Sequence, residues 1–179
     1  MPTLSVLIPN YNHGRYVAHC LDQIFSQDFP PNEVIVVDDG STDDSAEIIA
    51  RYASREPRLR FFRNPSNFGV MKTMNRALSL ARGDYVYGGA ADDWVAPRAF
   101  KKVMEMVRRY PGAGLCFGYV SQRHAGTGNE LSCHGLLCRR RQSVNACRNN
   151  WPSADFVCSC REQAGRANAY YGRQVHCEV

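Results

Sequence analysis

Two pairs of adjacent carboxylates follow apolar runs that predict β-strands. Asp92–Asp93 lies shortly after Tyr85–Tyr87, and Asp38–Asp39 directly follows Val34–Val37. Carboxylate oxygens are the ligands that Mg²⁺ and Mn²⁺ prefer, and such ions commonly bind substrate phosphates as well. In an open parallel sheet the carboxyl ends of the strands lie along one edge, where ligands bind. One acidic pair alone is typical of a solvated turn, but two pairs at one edge predict a site for a nucleotide and a metal.

Positioning these acids requires alternating strands and helices, and the apolar pattern of residues 1–120 predicts them. Continuous β-branched runs indicate buried strands, and apolar residues at helical spacing indicate the helices between them. The predicted strands are Leu4–Ile8, Val34–Val37, Leu59–Phe62, Asp84–Tyr87 and Leu115–Phe117, and the predicted helices lie near Tyr16–Phe25, Ala46–Ala53, Val70–Ala81 and Pro97–Val107. This alternation predicts an α/β fold with a Rossmann-like, mostly parallel sheet flanked by helices.

Composition indicates an ordinary globular protein. The chain has 179 residues, of which 44% are hydrophobic and 22% charged. No apolar run approaches the roughly 20 residues that a membrane-spanning helix needs. The N-terminus lacks a basic leader and a cleavage site, so it predicts a first strand rather than a signal peptide. We therefore expect a cytoplasmic location, with attachment to the inner membrane surface left open.

Residues 121–179 differ in composition and apolar pattern from the rest of the chain. They hold six of the eight cysteines, and eight arginines against four acidic residues, without sustained helical or strand periodicity. The predicted organisation is therefore an α/β domain at residues 1–120 and an atypical cysteine- and arginine-rich tail at residues 121–179. We expect that tail to pack poorly, because it offers little apolar surface to offset its ordering entropy.

Four interpretations of the tail compete. A zinc site would need Cys-x₂-Cys pairs, whereas the tail has Cys133-x₄-Cys138 and Cys158-x-Cys160. A disulfide framework conflicts with the expected cytoplasmic location. A basic surface for nucleic acid or anionic lipid would need more interleaved aromatic residues. Arginine and cysteine enrichment without a pattern is typical of GC-rich DNA read out of frame, so a truncated or frame-shifted gene is the interpretation we favour.

The ordered part carries four segments that could surround one ligand. Each follows a predicted strand, and they read LIPNYN, DDGSTD, NPSNFG and AADDW. Neither a Gly-x-Gly-x-x-Gly after the first strand nor a Gly-x₄-Gly-Lys-Ser/Thr occurs, which excludes the common phosphate loops.

In their longer form these segments resemble the successive signatures of family 2 glycosyltransferases, which have the GT-A fold. The matching stretches are SVLIPNYN, VIVVDDGSTDDS, NFGVMKTMNRALSLARGDYV and ADDWVAP, and the resemblance covers about residues 3–120. It implies transfer of a sugar from a nucleotide-diphosphate sugar, usually a UDP-sugar, to an acceptor hydroxyl with inversion of the anomeric centre.

The resemblance also implies roles for residues that follow the first two strands. Pro9 shapes the first loop, Tyr11 packs on the nucleotide base, and Asn12 lies beside it. Asp39 accepts a hydrogen bond from the base imide, a charge-assisted bond. Two alternatives stay open: Tyr11 merely covers the sheet edge, and Asp38 is a structural or helix-capping acid.

The later motifs would hold the diphosphate and the metal. Asn67 and Gly69 match the family's Asn-x-Gly, where glycine lets the backbone approach the donor, and Lys72 faces the diphosphate unless it is simply a solvated helix lysine. Asp92 and Asp93 occupy the metal motif, but its first acid is replaced by Ala90. We expect Asp92 to bind Mg²⁺ or Mn²⁺. Asp93, its neighbour, would contact either the acceptor or the groups that surround the metal ligands.

Catalysis is the open part of the prediction. The resemblance places the catalytic base in an acidic motif beyond the fifth strand, and no tail acid has a matching context, so no base is assigned. The alternatives are a catalytically inactive, truncated nucleotide-sugar-binding remnant, or a nucleotidyltransferase or other nucleotide-binding α/β protein. The acceptor could be a glycan, a lipid-linked group or a protein, and no nucleic-acid partner is expected.

Overall fold

A six-stranded mixed sheet flanked by helices forms the described part of the protein. The structure is a computed structural model that describes residues 1–109 and, as backbone only, the strands at 115–123 and 130–139. In chain order its elements are β1 Leu4–Asn10, α1 Gly14–Phe25, β2 Glu33–Asp38, α2 Ser45–Ala53, β3 Leu59–Arg63, α3 Val70–Leu80, β4 Tyr85–Gly88, α4 Ala99–Arg109, β5 Leu115–Arg123 and β6 Glu130–Arg139.

The strands lie in the order β3-β2-β1-β4-β6-β5. Strands β3, β2, β1 and β4 are parallel, and β6 and β5 add antiparallel pairs at the β4 side. The last paired residues of β1 and β2 are Asn10 and Asp38, which stand opposite each other. The carboxyl ends of four parallel strands therefore meet at one edge of the sheet, which we call the rim.

The two central strands form the core. Every residue of β1 and β2 is buried, as the continuous apolar runs predicted. Side chains alternate between the faces of a strand, so Val6 and Ile8 join one cluster with helices α1, α2 and α4. Leu7 joins the opposite cluster, with Ala77 of α3. Helices thus cover both faces, which is the layered arrangement the sequence predicted.

The glycine that follows α3 is not a left-handed helix stop. The helix ends at Leu80, and Arg82 and Gly83 lie beyond it. Gly83 donates its backbone N–H to Ser5 Oγ at 2.9 Å, and a Cβ at Gly83 would lie 2.6 Å from that oxygen. Glycine is therefore required here because the chain passes close to β1 and not because the helix needs a left-handed cap.

The expectation that regular structure ends before Ser121 was wrong. Strand β5 runs from Leu115 to Arg123, and β6 lies wholly in the segment expected to lack periodicity. Strand β6 is held by backbone pairing to β4 on one side and β5 on the other. Such pairing does not require an alternating apolar pattern. The expected boundary at residue 120 falls inside β5, and residues 140–179, with most of the tail cysteines, lie outside the described residues.

No helix in the described part of the chain is long and apolar enough to cross a membrane.

Candidate functional site

Four loops leave the rim, one after each parallel strand. They are residues 11–13 after β1, 39–44 after β2, 64–69 after β3 and 89–98 after β4. Every residue that the sequence predicted for the site lies in or beside one of these loops, except Pro9, which is buried within β1 opposite Val37. The fold therefore gathers the predicted residues at one edge.

Asp38 is a structural acid, which decides one of the alternatives left open above. It is fully buried and accepts hydrogen bonds from Asn10 Nδ2 at 2.7 Å and the Ser41 backbone N–H at 3.1 Å. Arg63 Nε lies 3.1 Å from Oδ2, the same oxygen that accepts the Ser41 N–H. Asp38 thus fastens the end of β1 and the end of β3 to the end of β2.

Asp39 shapes the loop that follows β3. Only 3% of this residue is exposed, and its carboxylate accepts hydrogen bonds from Asn64 Nδ2 at 2.6 Å and from the backbone N–H groups of Phe68 and Gly69. Burial raises the pKa of Asp39, but these hydrogen bonds outweigh it, so its pKa is lower than usual. The Thr73 side chain is a fourth hydrogen-bond partner, and an ionised carboxylate accepts about four hydrogen bonds, so the capacity of Asp39 is taken up within the protein.

The loop after β3 carries the predicted diphosphate residues. Asn67 Oδ1 accepts the Gly69 N–H at 2.9 Å, which closes a turn just before α3. Gly69 has φ of +87°, a backbone conformation that side-chain-bearing residues rarely adopt. Asn67 and Lys72, in the first turn of α3, are both exposed. The structure therefore presents this loop and Lys72 to solvent at the rim.

The loop after β1 presents Tyr11 but uses Asn12 internally. Tyr11 is 41% exposed, so one face of its ring is available. Asn12 has φ of +55°, and its Oδ1 accepts the Thr42 N–H at 2.8 Å while its own N–H donates to Ser41 Oγ at 2.9 Å. The side-chain oxygen of Asn12 thus joins the loops after β1 and β2, a use that the sequence did not predict.

The two acids after β4 differ in their surroundings. The Asp92 side chain is 48% exposed. Asp93 is turned inward and accepts the Ala90 N–H at 2.8 Å, and burial, reinforced by Asp92, raises its pKa. Asp92 is therefore the acid that a ligand at the rim can reach, and ligation itself stays a prediction.

His13 also lies at this end of the site, and the sequence reasoning did not include it. Its Nδ1 is 3.9 Å from Asp92 Oδ1. That nitrogen is buried and has no hydrogen-bond partner among the described residues. The available signal was position, since His13 directly follows the Tyr11–Asn12 pair.

A row of side chains on and just after α1 holds the loop that carries Asp92. Cys20 Sγ donates to Ala90 O at 3.4 Å, and Gln23 Oε1 accepts the Val95 N–H at 2.8 Å. One turn further, Gln27 Nε2 donates to Ala96 O at 3.0 Å. Cys20 and Gln23 are three positions apart and share a face of α1, and Gln27 lies two residues beyond the end of the helix. Together they satisfy successive backbone groups of the loop. Burial, then Asp93 and Asp92, raise the pKa of Cys20 to about 12, so its thiol stays neutral.

Comparison with known proteins decides the family. The sequence model described as Glycosyl transferase family 2 matches residues 5–169. The chain belongs to this family. The match reaches well past residue 120, where the resemblance seen in the sequence ended, so part of the unusual tail also fits the family pattern.

Individual relatives support this assignment. Chondroitin synthase of Escherichia coli is 30% identical over 135 residues, which cover 75% of this chain and 19% of the synthase. The crystal structure of Staphylococcus aureus TarS 1–349 in complex with UDP-GlcNAc is 30% identical, with a TM-score of 0.59 over 63% of this chain and 33% of TarS.

A second solved structure also supports the fold. The mannosyltransferase PcManGT from Pyrobaculum calidifontis, in complex with GDP-Man and Mn²⁺, has a TM-score of 0.66 at 23% identity, over 81% of this chain and 46% of that one. The predicted GT-A fold is thereby confirmed. The chain spans less than half the length of each of these three proteins.

Proposed function

We propose that the rim binds a nucleotide-diphosphate sugar, with a UDP-sugar as the first candidate, and that the chain takes part in transferring the sugar to an acceptor hydroxyl. One observation carries this proposal. Tyr11, the Asn67–Lys72 segment and Asp92 are exposed together at the carboxyl ends of adjacent parallel strands. A family 2 relative with UDP-GlcNAc bound supports the choice of donor.

The nucleotide would lie between the loops after β1 and β2. Stacking on an exposed aromatic ring stabilises a base by about 1–3 kcal/mol, and Tyr11 offers such a face. Asp39 is ionised, and a base N–H would bind it by sharing an oxygen that already accepts hydrogen bonds within the protein. Lys72 lies one turn into α3, next to Gly69, and its ammonium group would attract the diphosphate.

A divalent cation fits the loop after β4 in a limited way. Asp92 offers an exposed carboxylate, but no group of three or more candidate ligands occurs among the residues that the structure describes. Mg²⁺ and Mn²⁺ commonly take their remaining ligands from phosphate oxygens and water, so one carboxylate is a workable anchor. The similar mannosyltransferase that contains Mn²⁺ supports this choice of ion. Such an ion would supply neutralisation of charge on the departing diphosphate.

Transfer with inversion needs a base for the acceptor hydroxyl, and the four acids of the pairs Asp38–Asp39 and Asp92–Asp93 are already engaged. Asp38 and Asp39 hold neighbouring loops, and Asp93 accepts a backbone hydrogen bond. Asp92 is the anchor for the cation. The base must therefore come from beyond these residues, and the identity of the acceptor is equally open.

This engagement of the rim acids, together with the short span of the chain, favours a second candidate. The chain could bind the donor without transferring its sugar. Calorimetry with UDP, in the presence and absence of Mg²⁺, tests donor binding, and measurement of UDP release from UDP-GlcNAc tests turnover. UDP binding with no release supports the binding-only candidate, whereas absence of any UDP or GDP binding contradicts both.

A further inference from the structure

The imidazole of His13 contains a buried nitrogen with an unusual environment. Its Nδ1 has no hydrogen-bond partner in the described part of the chain, yet it lies 3.9 Å from a carboxylate oxygen of Asp92. A buried polar atom left without a partner is unfavourable, because it has lost its hydrogen bonds to water. Native structures rarely keep such an atom unless a water, an ion or a ligand satisfies it.

The start of α1 fixes the position of this ring. The His13 carbonyl accepts the backbone N–H groups of Tyr16 and Val17, each at 2.9 Å. The Tyr16 ring packs edge-on against the imidazole, with centroids 6.4 Å apart. His13 is therefore held at the rim by a helix terminus and an aromatic neighbour, while the Asp92 carboxylate opposite it is half exposed.

We propose that His13 is a second protein ligand, beside Asp92, for the divalent cation of the donor site. This inference rests on the proposed function. Bonds from nitrogen and oxygen ligands to ions of this size are about 2.1 Å long, so two ligands of one ion lie no more than about 4.2 Å apart. The 3.9 Å separation falls within that limit.

The same inference explains how the chain manages without an acid at position 90. Ala90 cannot ligate, and its backbone N–H donates to Asp93. A neutral imidazole from the loop after β1 would replace the missing carboxylate with a nitrogen ligand. Transition-metal ions accept imidazole readily, whereas Mg²⁺ prefers oxygen. We therefore expect this site to bind Mn²⁺ more tightly than Mg²⁺.

The direct test is pulsed electron paramagnetic resonance of Mn²⁺ bound to the full chain with UDP. A nitrogen coupling from a bound imidazole is expected in the unmodified protein, and labelling the histidines with ¹⁵N should change it accordingly. His13→Gln should remove the coupling and lower the affinity for Mn²⁺ by about tenfold or more, with a smaller loss for Mg²⁺. Glu105→Gln changes an exposed acid in the second half of α4, away from the rim, and should change neither quantity.

The outcomes separate this inference from the proposal on which it rests. If Asp92→Asn abolishes Mn²⁺ binding but the unmodified protein shows no imidazole coupling, His13 is not a ligand and the donor site stands. If His13→Gln weakens Mn²⁺ binding with no such coupling beforehand, His13 only positions Asp92, which also overturns the inference. If neither variant affects Mn²⁺ binding in the presence of UDP, the proposed metal site at Asp92 is contradicted, and the inference about His13 with it. Should His13→Gln fail to fold, the absence of a ¹⁵N-dependent coupling in the unmodified protein would still overturn the inference.

Discussion

The backbone N–H of Gly69 donates to the Asp39 carboxylate at 2.8 Å, which joins the start of α3 to the end of β2. The neighbouring Phe68 N–H donates to the other carboxylate oxygen at 3.0 Å. The same loop packs closely on Gly40, where a Cβ would lie 2.7 Å from the Ser66 carbonyl carbon. The loop that would receive the diphosphate is therefore built around a buried acid from another strand.

Replacing this acid should cost both stability and nucleotide affinity. Asp39→Asn keeps the shape of the side chain but turns an amide N–H₂ group toward backbone N–H donors. We expect a loss of about 1–3 kcal/mol in the free energy of unfolding, measured with urea, because buried donors lose their acceptor. UDP affinity should fall as well, since the loop from Asn67 to Gly69 loses its support. Asp28→Asn, at an exposed acid that pairs with Arg98, is the control and should change little.

The stability effect should depend on pH in a definite direction. Burial raises the pKa of Asp39, but hydrogen bonds from Phe68, Asn64 and Gly69 outweigh it, so the folded-state pKa lies below its ordinary value of 3.8. Stability from such a group is present above the ordinary pKa and is lost as pH falls through the folded one. The difference in the free energy of unfolding between wild type and Asp39→Asn should therefore decrease below about pH 4. A difference in the free energy of unfolding that stays constant down to pH 2 would contradict the conclusion that Asp39 is ionised in the folded protein.

The sequence predicted the parallel strands well because their burial shows in composition. Val34–Val37 is apolar at every position, which is typical of a strand covered by helices on both faces. Strand β6 carries no such pattern: Leu136 and Leu137 pair with Gly88 and Tyr87 of β4, almost fifty residues away along the chain. That pairing is a long-range tertiary effect, so the sequence pattern alone could not predict it.

For the site, the sequence indicated which residues gather at the rim but not what each one contacts. It could not tell that Asp92 is exposed while Asp93 is turned toward Ala90, since the two are neighbours with the same chemistry. The nearness of His13 to Asp92 was equally invisible, because only the parallel packing of β1 and β4 brings their loops together.

Tyr11→Ala tests the site for the nucleotide base. Loss of a stacked aromatic ring should weaken UDP binding by about 1–3 kcal/mol, or roughly tenfold to a hundredfold. Because the ring is exposed, the free energy of unfolding should hardly change. Met106→Ala removes an exposed apolar side chain from the second half of α4, away from the rim, and is the matched control. Equal UDP affinities for Tyr11→Ala and wild type, measured by calorimetry, would leave Tyr11 as a cover for the sheet edge only.

Asp92→Asn and Asp93→Asn test the division between the two acids. We expect Asp92→Asn to abolish the increase in UDP affinity that Mg²⁺ or Mn²⁺ produces while leaving the unfolding midpoint unchanged, since its side chain is half exposed. Asp93→Asn should keep most of the metal effect, because this carboxylate is occupied by the Ala90 N–H. Calorimetry at several metal concentrations measures both effects. The reverse result would mean that Asp93 binds the metal and Asp92 does not. If neither variant changes the metal effect, both acids are only turn residues.

Gln27→Met tests whether Gln27, two residues beyond the end of α1, helps that helix to position the loop that carries Asp92. Gln27 is buried, donates to Ala96 O at 3.0 Å and accepts the Phe100 N–H at 3.4 Å. Methionine of similar size would remove the acceptor of the Phe100 N–H and leave Ala96 O with the Ala99 N–H alone. We expect a loss of about 1–3 kcal/mol in the free energy of unfolding. We also expect a several-fold loss in the metal-dependent part of UDP binding, with metal-free binding less affected.

Gln27→Glu separates positioning from simple destabilisation. It keeps an oxygen that accepts the Phe100 N–H but loses the donor to Ala96 O, so it should retain part of the metal-dependent UDP binding that Gln27→Met loses. Arg98, whose exposed side chain lies 3.6 Å from Asp28, provides a control on the same loop, and Arg98→Gln should leave metal-dependent UDP binding unchanged. If Gln27→Met lowers stability but binds UDP with the wild-type response to Mg²⁺, then α1 supports the fold alone and the Asp92 loop holds its shape without it.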